Sequence, residues 1–193
     1  DAEKIKAAVQ RLFDENHLSH ESKTIFTVMR GGVKGIDSSY IKQALDQVIE
    51  KGNAYSAFFF IVEAIEEGVL EADAQYAKDV HKRILGKIME AYSGYYVGDG
   101  SHLGDIIISA LKKGTQGFTA QDIRDYYEGS KNMSKNMPIT AAANLIVAAI
   151  EQGVEGIDSD DVNKWIKELS GYISPEFHYE IGRIMLAARK RGI

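Results

Sequence analysis

Apolar residues recur along this chain at intervals of three and four, and the same short pattern returns at a longer period. Counted back seven, four and three residues from four glycines, the positions are Ile25, Val28 and Met29 before Gly32, then Ile61, Ala64 and Ile65 before Gly68. They continue as Ile107, Ala110 and Leu111 before Gly114, and Ile146, Ala149 and Ile150 before Gly153. Such spacing places the side chains on one face of a helix. A glycine just past the stripe suits the left-handed position that ends a helix, where a Cβ would be crowded. Four residues beyond each glycine stand Ile36, Ala72, Phe118 and Ile157, all able to pack inward. Five beyond stand Asp37, Asp73, Thr119 and Asp158, whose side chains can accept from the free N–H groups of a helix start. Nine beyond come Ile41, Ala77, Ile123 and Val162, the first inward positions of the next helix.

The stop, the staple and the start therefore form one repeated turn at 32–38, 68–74, 114–120 and 153–159. Gly192-Ile193 begins a fifth, in which Met185 and Ala188 keep the stripe and Arg189 breaks it. The glycines are spaced by 36, 46, 39 and 39 residues, a period that marks a helical-repeat architecture. The pattern predicts ten helices, at 2–15, 20–31, 37–51, 54–67, 72–93, 102–113, 119–129, 138–152, 158–170 and 175–191. No useful run alternates with period two, so no sheet is expected. The expected fold is all-α, about ten helices in antiparallel helix-pair repeats, as a short α-solenoid or a closed helical-repeat bundle. A single helical-repeat domain is expected over 1–193, and the unfinished last turn suggests that it belongs to a larger protein.

Composition narrows the function classes without naming one. Only two prolines, and 45% hydrophobic against 26% charged residues, describe an ordinary helical globular chain. A net charge of −5 supplies no basic footprint for nucleic acid. The run Arg189-Lys190-Arg191 sits where cations favour a helix C-terminus. The longest apolar run, 54–65, is too short for a membrane span and is broken by Ser56 and Glu63, so no membrane insertion is expected. The chain is read as soluble, cytoplasmic or a mature secreted form, since it starts at Asp1. With no cysteine it has no disulfides and no thiolate chemistry.

The turn Gly-x-Ile-Asp invites comparison with a calcium loop, but the ligand spacing fails. With Ile157 at the eighth loop position, the first, third and fifth become Ile150, Gln152 and Val154. The aspartates are better explained as caps. His17, His20 and Glu21 lack the order of a zinc site, so no metal and no cofactor is expected. Two segments depart from the repeat, the insertion at 94–102 and a polar linker at 130–138. The insertion has loop-borne aromatics and polar groups, so Tyr95, Tyr96, Asp99, Ser101 and His102 are candidate contacts for a partner. Its glycines follow no strand and carry no lysine, which argues against a phosphate loop. An apolar ligand cavity at Phe58, Phe59 and Phe60 is the alternative site. An enzyme using Asp99, His102 and Asp105 ranks below both, and no catalytic residue is assigned. The leading expectation is a protein-interaction or scaffold module whose partner is another protein. A small-molecule-binding helical bundle is the alternative.

Overall fold

The computed structural model describes residues 2–15, 17–91, 104–133, 139–171 and 175–193, and among these it is all-α. The ten helices are α1 (Ala2–Asp14), α2 (Leu18–Arg30), α3 (Ser38–Glu50), α4 (Ala54–Glu66), α5 (Ala74–Ala91), α6 (Asp105–Lys112), α7 (Ala120–Met133), α8 (Ile139–Glu151), α9 (Ser159–Ser170) and α10 (Pro175–Arg191). The chain divides into two compact units, Asp1–Val97 and Gly98–Ile193. Each is built from the same repeat.

The turn has the anatomy that its residues dictate. Gly32, Gly68, Gly114, Gly153 and Gly192 all have positive φ, between 63° and 78°. At Gly153 the glycine N–H donates to the Ile150 carbonyl and the next N–H, from Val154, donates to Ala149, closing the helix end. Gly192 and Ile193 make the same two bonds, so the fifth turn is closed in the same way. On the start side, Asp37 accepts from the Tyr40 N–H and Asp73 from the Tyr76 N–H. Thr119 exchanges bonds with Asp122, and Asp158 forms a full capping box with Asp161. The second turn differs in two respects. Leu70 is buried there, where the other turns carry the exposed Lys34, Gln116 and Glu155, and Glu71 replaces the second glycine.

Helix limits shift where local signals compete. The second helix begins at Leu18, not 20, because Leu18 is fully buried. The fifth begins at Ala74, one residue past the Asp73 cap. The seventh runs to Met133 beyond the expected stop at Gly129, so the start of the polar linker is helical. One interior glycine costs about 1 kcal/mol, too little to end a helix by itself.

In the first unit α2 packs on α4 and α1 on α3, while α4 also meets α3 and α5. Phe60 lies between the layers, its ring 5.6 Å from Phe13 and 5.1 Å from Phe26. In the second unit α8 packs on α6, α7 and α10, and α9 on α10. Helix α8 is apolar on almost every side, as expected of a helix with neighbours all round. Its one central polar residue, Asn144, accepts from Arg183, which also binds the buried Glu180. Tyr127 and Trp165, both 1% exposed, meet at 6.0 Å.

The two sides of a turn glycine predict different costs of substitution. An alanine Cβ at Gly68 meets nothing within 4 Å, so Gly68→Ala is expected to lose only the left-handed penalty of about 1–2 kcal/mol. At Gly153 the Cβ comes within 3.0 Å of the Arg191 guanidinium, which donates to the Glu151 carbonyl. Urea unfolding should therefore show Gly153→Ala to be the more destabilised of the two.

Candidate functional site at the repeat turns

The insertion contacts Tyr95, Tyr96, Asp99, Ser101 and His102 lie outside the described residues. Of the catalytic alternative, only Asp105 is described, at the first position of α6. The phenylalanine run is distributed between core and surface. Phe58 and Phe60 are buried, while Phe59 is half-buried and its ring meets Tyr55 at 4.9 Å and Phe58 at 5.3 Å. The rings occupy the space between the helices themselves. Of the histidines near the first connection, His17 holds the N-cap position of α2 without a side-chain cap bond and lies 3.5 Å from Glu15.

The structure draws attention to another place, the surface between the first two turns. An open groove of about 590 Å³ runs there between residues 29–38 and 68–71. Met29, Val33, Ile36 and Val69 give it apolar lining, and Arg30, Lys34 and Glu71 bring charge to it. Arg30 is paired across the repeat with Glu67. The Ser38 Oγ on this groove has no hydrogen-bond partner. Gly32, Gly35 and Gly68, which have no side chain, line it between the longer groups. From the sequence these residues read only as stop and start signals. The side-by-side placement of two turns is what makes them a surface.

A polar ladder runs beside the turns in repeat register. The residue ten beyond one turn glycine meets the residue eight beyond the next. Lys42 Nζ lies 4.4 Å from the Tyr76 ring centroid. In the preceding copy Lys6 Nζ lies 5.1 Å from that of Tyr40, whose hydroxyl donates to Gln10 at 2.9 Å. In the second unit the same step is an ion pair, with Arg124 Nε and Nη2 each 2.7 Å from an Asp161 oxygen. Cation over ring and cation on carboxylate thus fill equivalent places. The Arg124 hydrogen bonds hold the Asp161 carboxyl below its usual range, and burial raises the Tyr40 and Tyr76 phenols above theirs. Arg83 bridges Asp46 at 2.5 Å and Glu50 at 3.0 Å on the α3–α5 side. This register is legible in the sequence once the repeats are aligned.

His81 sits on α5 where the equivalent residue of α3 is Leu45. It is 5% exposed, and burial pushes its pKa down to about 4 from 6.5. Among the described residues no group of three or more His, Asp or Glu is placed to hold a metal ion. None of the helices there is long and apolar enough to cross a membrane. Comparison with family models, curated proteins and solved structures finds no match to this chain.

Two titrations arise from these environments. His81 is neutral when folded and takes up a proton on unfolding below its ordinary pKa, so stability is expected to fall from pH 6.5 down to about 4. The full window is worth about 3 kcal/mol. His81→Leu should flatten that slope in unfolding curves measured across it, whatever its effect at neutral pH. Asp161 acts in the other window, with its contribution complete above 3.8 and lost as pH falls through its depressed value. The stability deficit of Arg124→Met should accordingly be present at pH 7 and shrink on acidification below 3.8.

Proposed function

We propose that this chain is a protein-interaction module that receives a segment of a partner protein along the groove between its first two turns. The groove itself carries the reading. It is open along its length and lined by half-buried valines beside a charged edge. A small ligand is normally enclosed over most of its surface, whereas an extended peptide needs only one apolar side and some polar anchors. Backbone turns and packed helices supply such a platform without any acid–base pair. The apolar-ligand alternative draws less support, because Phe60 is in contact with Phe13 and Phe26. The insertion at 94–104 remains a second candidate contact in the same reading.

A photo-crosslinking amino acid at Lys34 should yield a defined adduct with one partner protein. That adduct should vanish when Val33 and Val69 are both changed to Glu, with helical CD and thermal midpoint retained. Adducts indifferent to the double change would sink the groove as the site. Changing Tyr95, Tyr96 and His102 together to Ala in the same assay tests the insertion. An apolar small molecule retained in native mass spectrometry, with no protein adduct, would favour the ligand-binding reading instead.

A further inference from the structure

Two pairs of turns can be compared position by position, and they differ in how the turns meet. In the second unit, the residue six beyond Gly114 bonds to the residue two beyond Gly153. The Ala120 N–H donates to the Glu155 carbonyl at 3.2 Å. Beside it Arg124 Nη2 donates to the Gly156 carbonyl at 3.1 Å, and a Cβ on Gly156 would lie 3.4 Å from that of Ala120. These two turns close on each other. In the first unit the equivalent groups are the Ser38 N–H and the carbonyls of Leu70 and Glu71. Among the described residues none of the three has a hydrogen-bond partner. Lys42, the counterpart of Arg124, lies over the Tyr76 ring instead. The Ser38 Oγ, buried at the groove, is also without a partner.

The cause lies in the second turn. Gly35, Gly117 and Gly156 share one repeat position, with φ between 80° and 95°, a conformation that a side chain disfavours. Glu71 holds that position in the second turn. There the Leu70 N–H joins that of Val69 on the Ala64 carbonyl, and the Leu70 side chain is buried. The turn takes another path, and its carbonyls make no bond to Ser38.

We infer that the partner segment supplies the missing main-chain bonds: one of its carbonyls accepts from the Ser38 N–H, and one of its N–H groups donates to the Leu70 or Glu71 carbonyl. Both bonds rest on the proposed use of the groove by a partner segment. A groove that leaves a backbone donor and backbone acceptors unmet matches the edge of an extended chain. A helical segment has its own groups already bonded and would leave these unmet. The edges of the groove add charge. Lys34 on the first turn and Glu71 on the second have no ion-pair partner among the described residues. Arg30, by contrast, is held by Glu67, and Asp37 by the Tyr40 N–H. The segment is thus extended, with an apolar residue on Val33 and Val69 flanked by an acidic and a basic one.

Ser38→Pro removes the N–H at low cost to the fold. Proline suits the first position of a helix, and Asp37 before it is already extended, at φ −122° and ψ −179°. The probe is a displayed library of random linear peptides, selected on the whole chain. Selected peptides should carry an acidic and a basic residue about an apolar one, and the double variant Val33→Glu, Val69→Glu should not bind them. A selected peptide should bind about three- to tenfold more weakly to Ser38→Pro than to Ser38→Ala, with CD and thermal midpoint alike. An ester in place of one central amide of the peptide, which removes its N–H, should weaken binding to the unchanged chain by a similar factor. Peptides that need the valines but tolerate Ser38→Pro, or every ester, overturn the main-chain bonds and leave the groove reading standing. Peptides without the charge pattern overturn the partner chemistry. If no peptide is selected, or none senses the double change, the groove reading falls and the main-chain bonds fall with it.

Discussion

Everything in this protein depends on a helix stopping and the chain reversing within six residues, at the same point of every repeat. A left-handed glycine does the stopping. At Gly153 and Gly192 the bonds that close the helix end are identical, although one turn leads into α9 and the other closes on Ile193. The geometry is thus local, and the helix end needs no neighbour to form it. The residues just past the glycine then set direction. A buried staple such as Ile36 and a cap such as Asp37 start the next helix at a fixed offset, so the apolar stripes of successive helices arrive in register.

Register turns weak interactions into an ordered set. The cations at the same offset in successive repeats find a ring in the first unit and a carboxylate in the second, at matching positions. Exposed pairs of this kind contribute little each, typically below about 1 kcal/mol. Stability comes from the stripes, whose isoleucines at one repeat position are fully covered in four copies. The polar ladder instead fixes which residue lies beside which, since a slipped repeat would leave the largely buried Asp161 without its arginine. His81 is a titratable residue among the buried positions. Its ring stands where α3 carries Leu45, and burial disfavours its charged form.

Helices α2 and α10 differ in what they expose. On α2 Thr24 donates to Glu21 at the surface, while α10 exposes Met185 and Leu186. The repeat pattern alone made the contrast visible in residue types. It read Arg189 as a break in the stripe, and Met185 as its continuation. Only the tertiary structure shows that Met185 and Leu186 are exposed, because exposure depends on the neighbours that a side chain has.

The candidate groove illustrates the same division. Gly32, Gly35, Asp37 and Gly68 were legible as turn residues, each from its own local chemistry, and the caps at Asp37, Asp73, Thr119 and Asp158 form as their offsets require. That two such turns lie side by side and leave about 590 Å³ between them was not legible, since no residue in one turn refers to the other. Nor did the phenylalanine run announce that Phe60 would bridge α1 and α2 while Phe59 stayed near the surface. By itself the sequence determined the helices, their stops and their caps, because those are settled by backbone conformation and hydrogen bonds within a few residues. The division into two units, the groove and the exposure of Met185 and Leu186 were decided by tertiary structure, because burial is a property of the neighbours that the fold brings to a side chain.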